Sequence, residues 1–193
     1  MSIYFLANNI DVIKLVNKTN FNENDLLITY NKCEYLYNIP KIYNHKNKIH
    51  IIRTGHNFLF YDNKISKYLD NCIKIYIIAL SINDKFINKH ILNKFNNYEI
   101  IDIFNENNIM DELIKNNFLS KKKPISPQTG LLSYLYLKYK YNDFNNIQKY
   151  LYGFTNNYKN QNFQLWNGHS KELEQKYYKN ELLINCTLIK IDK

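Results

Sequence analysis

Short apolar runs punctuate the chain at Ile3 to Ala7, Asp25 to Tyr30, Lys48 to Arg53, Ile73 to Leu80, Glu99 to Phe104 and Ile147 to Tyr152. They are rich in Ile and Tyr, and several are continuous instead of alternating. That pattern predicts strands buried on both faces. Between them the spacing turns helical. Asp84 to Phe95 places Phe86, Ile87, His90, Ile91, Leu92 and Phe95 on one broad face, and Ile109, Leu113, Ile114 and Phe118 form a second stripe. Strands alternating with helices predict an α/β fold with a mainly parallel sheet flanked by helices, Rossmann-like in outline. No internal repeat or linker breaks the pattern, so residues 1–193 are expected to form a single domain. The longest polar connections are Ser120 to Gln128 and Thr155 to Gly168, and long connections often carry function.

Composition sharpens this in one respect. The chain holds only 4 Gly and 3 Pro, yet Gly130, Gly153, Gly168, Pro124 and Pro127 all fall between positions 124 and 168. Where glycine is this scarce, it marks backbone that needs positive φ or a close approach. The abundance of Asn, Lys, Ile and Tyr is what A/T-rich codons produce. With 18 Tyr and 11 Phe the chain has ample bulk for a core, which argues against disorder.

The formal net charge of +9 suits an anionic partner: a nucleotide, an acidic sugar, nucleic acid or an anionic membrane surface. The basic residues are dispersed and carry no RNA-binding signature, so nucleic acid is not expected, although a binding domain with stacking tyrosines is the alternative from a different class. The densest basic cluster, Lys121-Lys122-Lys123, precedes Pro127-Gln128-Thr129-Gly130 and is either a steering patch for phosphate or a solvated loop. Cys33, Cys72 and Cys186 are far apart and form no Cys-x-x-Cys pair, so neither a disulfide framework nor a zinc site is suggested, and a reducing cytoplasm is the natural compartment. Met1 to Ala7 lacks a basic flank and reads as a first strand, not a signal peptide. No apolar run approaches the length of a membrane span, so any membrane contact is expected to be peripheral, at the inner surface.

In open α/β sheets, ligands bind beyond the carboxyl ends of strands and against helix N-termini. Two places fit: Asn8-Asn9 after the first strand, and Gln128-Thr129-Gly130 opening the helix from Leu131. Thr129 is suited to capping that helix or donating to a phosphate, and Gly130 to letting the phosphate approach. Read locally, the same residues are an ordinary helix start. His169 precedes Ser170-Lys171-Glu172-Leu173-Glu174, which has the form of a first helical turn with acidic residues complementing the dipole. An imidazole there can serve as general base; taken alone, a loop histidine is more often merely structural. Glu174 is expected to orient the loop or an acceptor, or only to compensate the dipole. His45, His50 and His56 cluster in sequence but match no metal-ligand spacing, and no metal site is expected.

As an ordered set, Pro127-Gln128-Thr129-Gly130-Leu131-Leu132, Tyr152-Gly153-Phe154, and His169 with Glu174 resemble the small motif, the following strand and the His-x-x-x-x-Glu motif of the animal-type sialyltransferases. Phe5-Leu6-Ala7-Asn8-Asn9 and Asp25 to Asn31 look like that family's N-terminal elements. The resemblance implies a GT-A-like variant fold and an inverting, metal-independent transferase with no cofactor beyond its CMP-sugar donor, acting on a glycan or glycolipid acceptor. It implies that Asn8, Asn9 and Asn31 contact the CMP part of the donor. Gln128, Thr129 and Gly130 would hold phosphate or the sugar carboxylate, Tyr158 would meet leaving-group charge, and His169 with Glu174 would be catalytic. Asn8 stands where the family has glycine, and Gln128 where it has serine or threonine. The family's cysteine pair has no counterpart. The donor therefore stays open between sialic acid and a related acidic sugar such as Kdo, or a different nucleotide sugar altogether. Acceptor, linkage and oligomeric state also stay open.

Overall fold

Inside the sheet lies β1 (Ser2–Leu6), formed by the first apolar run. It pairs in parallel with β2 (Leu26–Tyr30) on one side and with β6 (Gln148–Tyr152) on the other. The computed structural model describes residues 1–54, 63–79, 95, 97–118, 127–154 and 170–190. Within them β3 (Lys48–Arg53), β4 (Lys74–Ala79), β5 (Tyr98–Asp102) and β7 (Thr187–Ile189) complete a seven-stranded sheet of order β5-β4-β3-β2-β1-β6-β7. Every pairing is parallel. This is a Rossmann-like α/β arrangement, and strand order reverses between β1 and β6.

One expected strand ends early, and one strand was not expected. The run predicted as a strand through Phe104 leaves the sheet after Asp102, because Ile103–Asn105 form a 3-10 turn that sends the Ile103 side chain back into the core. β7 lies in no apolar run; it is three residues long and sits partly exposed at the sheet edge, where a continuous hydrophobic stretch is not needed. Of the helix expected over Asp84 to Phe95, only Phe95 is among the described residues, and it is buried.

Helices cover both faces. α1 (Asp11–Lys18) buries Val12, Leu15 and Val16, one helical stripe, and carries Asp11 in its first turn and Lys18 in its last, matching the macrodipole. With α2 (Pro40–Tyr43) and α3 (Asn63–Asp70) it packs against Leu6, Leu27, Ile52 and Ile77. The opposite face receives α4 (Asn107–Lys115), α5 (Thr129–Lys140), α6 (Lys171–Tyr177), a π-helical turn at Tyr178–Leu182 and a last turn, α7 (Leu183–Asn185). α5 is buried along Leu131 to Leu137 without a break. A helix apolar on all sides must be covered on all sides. The sheet supplies one cover; α4 and the π-helical turn supply the other. Each fully buried leucine there contributes about 2 kcal/mol.

A polar network fastens this second layer. Lys138 on α5 donates to Glu112 of α4 at 3.2 Å and to Glu181 at 2.8 Å, and the hydroxyls of Tyr139 and Tyr177 also donate to Glu112. Burial alone raises the Glu112 carboxyl, but those hydrogen bonds outweigh it and hold the group below its ordinary value. Among the described residues no helix is long and apolar enough to cross a membrane.

Candidate functional site at the carboxyl edge of the sheet

Strand order reverses between β1 and β6, and the crevice beyond the carboxyl ends of such strands is where open α/β sheets bind ligands. Asn9 spans it. Its Nδ2 donates to the Gly153 carbonyl at 2.5 Å, and its Oδ1 accepts from the Val12 N–H at 3.2 Å, so one side chain ties β1 to β6 and caps the start of α1. Gly153 has φ +71°, and a Cβ there would lie 2.9 Å from Asn9 Oδ1 and 3.3 Å from Val12 Cβ. Only glycine fits both constraints. Both polar ends of Asn9 are thus engaged by protein, which makes it the structural tie of the crevice.

Neighbouring groups point to unmet demand. Asn8 Oδ1 and Gln128 Nε2 are buried and have no hydrogen-bond partner among the described residues. Buried polar atoms are nearly always paired, so an orphan acceptor and an orphan donor on one edge suit a polar ligand.

β2 and β3 contribute next. Asn31 follows β2 at φ +50°, a left-handed conformation that asparagine tolerates better than most residues. Its Oδ1 accepts from the Arg53 N–H at 3.2 Å and its Nδ2 reaches Thr129 Oγ1 at 3.5 Å, 98 positions away. Behind it, buried His50 contacts Thr29 Oγ1 through Nδ1 at 2.8 Å, and Thr29 Oγ1 lies 2.9 Å from the Tyr68 hydroxyl. Burial, opposed by a contact with the Asn31 backbone, lowers the His50 pKa to about 3, so the imidazole is neutral.

The start of α5 is held unusually. Thr129 is the first helical residue and does not cap: Gln128 occupies the N-cap position, with extended backbone and no side-chain cap bond. The anchor comes from elsewhere. Arg53 Nη1 donates to the Pro127 carbonyl at 2.7 Å, and the Gln128 N–H donates to Glu174 Oε1 at 3.0 Å. Glu174 is only 6% exposed. Burial pushes its carboxyl up to about 8, against the opposing pull of the Gln128 N–H and the Arg53 guanidinium. Strongly perturbed carboxyls of this kind concentrate at functional sites. Glu174 sits on α6, whose N-cap Ser170 accepts from the Leu173 N–H at 3.3 Å. The Gly130 backbone is not open to a ligand in the expected way, since a Cβ there would meet Phe154 Cε1 at 3.0 Å. Glycine admits the Phe154 ring, which in turn packs edge-on against Tyr30.

Seven residues singled out from sequence (Asn8, Asn9, Asn31, Gln128, Thr129, Gly130 and Glu174) therefore belong to one edge of the sheet. His169, Tyr158 and Lys121 to Lys123 lie outside the described residues. His45 is at the opposite edge, bonded to the Asp25 carbonyl at 2.7 Å, and His56 is outside the described residues. Among the described residues no cluster of three His, Cys, Asp or Glu could hold a metal, and the three cysteines are buried and free.

Sequence reasoning missed Arg53. A signal was present: it is the one arginine among 26 Lys and Arg residues. Where lysine serves everywhere else, a planar fork that bonds the Pro127 carbonyl and acts electrostatically on the buried Glu174 carboxyl reads as a geometric requirement, not a compositional accident. Comparison with protein-family models, with curated proteins and with solved structures returns no match.

Proposed function

We propose that this protein is an inverting glycosyltransferase that moves sialic acid, or a related acidic sugar, from a CMP-activated donor to a glycan hydroxyl. The observation that supports it is convergence. Residues from both ends of the ordered motif set, Asn8 and Asn31 near the N-terminus and Gln128, Thr129 and Glu174 near the C-terminus, are assembled at the carboxyl edge of a parallel sheet, where nucleotides bind. Asn8 Oδ1 and Gln128 Nε2 offer an acceptor and a donor for the nucleotide portion, and Arg53 offers a cation for its anionic group. In the reaction, His169 takes the proton from the acceptor hydroxyl. The oxygen forms a bond to the anomeric carbon from the face opposite the phosphate, the bond to the phosphate oxygen breaks, and CMP departs with that electron pair.

The nucleic-acid alternative is the weaker one. Lys41, Lys48 and Lys149 direct their ammonium groups at protein carbonyls, so part of the +9 charge is committed to the fold and not offered to a phosphate backbone. The deciding experiment measures CMP release from CMP-sialic acid, with and without a panel of galactosides, for wild type and His169→Ala. Release by wild type that the folded variant lacks supports both donor class and base. Absence of release together with absence of CMP binding by calorimetry would remove the reading.

A further inference from the structure

The two contacts that hold the start of α5 share one chemical group. The Pro127 carbonyl, which accepts from Arg53, and the Gln128 N–H, which donates to Glu174, are the two ends of a single peptide unit. A cation on the oxygen and a carboxyl on the N–H align with that peptide's own dipole, so the unit links the Arg53 guanidinium of β3 to the Glu174 carboxyl of α6. Glu174 is nearly fully buried, and Gln128, whose N–H the bridge uses, has a buried Nε2 with no hydrogen-bond partner among the described residues.

We propose that this Arg53–peptide–Glu174 bridge gates anion binding: an anionic ligand group takes Arg53 as its counter-ion, and Glu174 takes up a proton from solvent as it binds. For the identity of the ligand this rests on the donor reading above; for the gate itself it does not. Two negative groups around one guanidinium, one of them the buried Glu174, repel strongly, and neutralising one of them removes the conflict. Protonated Glu174 still has a carbonyl oxygen to accept from the Gln128 N–H, so α5 stays anchored while the charge changes hands. Arg53 from β3 is the charged group acting on Glu174 among the described residues; α5 presents the Gln128 N–H, and α6 itself bonds through the Ser170 carbonyl to the Glu174 N–H at 3.0 Å. Its ordinary pKa is raised far enough for the uptake to fall in an accessible range.

The test is calorimetric binding of CMP, pyrophosphate and free N-acetylneuraminate to the full chain from pH 6 to 10, each in two buffers of different ionisation enthalpy. Wild type is expected to take up a proton on binding at alkaline pH and to lose affinity about tenfold per unit once Glu174 is ionised in the free protein. Glu174→Gln should bind without that slope, and Arg53→Met should weaken binding at least about tenfold at every pH. The probe that shows the slope distinguishes a phosphate from a carboxylate as the gated group. A slope with pyrophosphate but no binding of CMP or N-acetylneuraminate keeps the gate and removes the donor reading. Three results overturn the gate: no proton uptake by wild type, a slope that persists in Glu174→Gln or vanishes instead in His169→Ala, or no binding of any of the three anions.

Discussion

At the N-terminal edge of the sheet, lysines close the structure; at the carboxyl edge, amides, one guanidinium and one buried carboxyl take their place. Lys41 Nζ donates to the carbonyls of Val16, Asn17 and Thr19 and so ends α1. Lys48 Nζ serves Tyr43 and His45 at 2.6 and 2.9 Å, and Lys149 Nζ serves Phe144 and Ile147, both at 2.6 Å. Burial lowers the pKa of Lys48 and Lys149, and the carbonyls they bond are the groups a helix or turn leaves unpaired at its end. Asp25 adds acceptors for the Ser2 and Asn22 N–H groups at 2.8 and 2.9 Å. The opposite edge has Asn31 and Gly153 in left-handed conformations, orphan atoms on Asn8 and Gln128, and a carboxyl whose charge the fold disfavours. Polar groups at one edge are spent on stability. At the other, several lack a partner among the described residues or carry a disfavoured charge, at some cost to stability.

The sharpest way to break that comparison is at the closed edge. Lys48→Met keeps the aliphatic stem but strands the Tyr43 and His45 carbonyls, and is expected to destabilise by about 3 kcal/mol in urea unfolding. A loss under about 1 kcal/mol would mean that the lysine caps little. Next is Gly153→Ala, which puts a Cβ at φ +71° against Asn9; it should cost about 2 kcal/mol and loosen the tie between β1 and β6.

Glu174→Gln should have the opposite sign. The folded pKa of Glu174 lies near 8, above the ordinary carboxyl value of 4.5, so the fold binds this proton more tightly than the unfolded chain does. Wild type therefore loses stability as pH rises from about 4.5 to about 8 and levels off beyond, at no more than about 1.4 kcal/mol per pH unit. The amide variant should lack that decline, so its advantage in thermal melting should widen from pH 5 to 8 and then stay constant. Parallel melting curves at all pH values would show that the carboxyl is not perturbed. The smallest effect on stability is expected for Asn8→Ala, within about 0.5 kcal/mol, because its Oδ1 has no partner to lose. CMP affinity should nevertheless fall about tenfold, the loss of one hydrogen bond to a ligand.

Much of the fold was legible because buried parallel strands write themselves as continuous apolar runs. The runs at Ile3, Asp25, Lys48, Ile73 and Ile147 each became a strand within two residues of their expected bounds. β7 was not legible, since three half-exposed edge residues carry no period. Within the site, the scarcity of glycine correctly marked Gly153 and Gly130, but the reason assigned to Gly130 changed: it makes room for Phe154, a contact between residues 24 positions apart that no local pattern encodes. Arg53 was hidden inside a strand run, where its neighbours read as core.

By itself, the order of residues determined the α/β class, the strand and helix periods, a helix start just after Pro127 and the helix beginning after Ser170, because each depends on neighbours within a few positions along the chain. Only the tertiary structure decided that Asn9 would meet Gly153, that Asn31 would reach Thr129, and that Arg53 and Glu174 would grip opposite ends of one peptide. Those contacts join elements 46 to 144 positions apart, and which side chains meet there is set by how the parallel strands align across the sheet and where α5 begins above it.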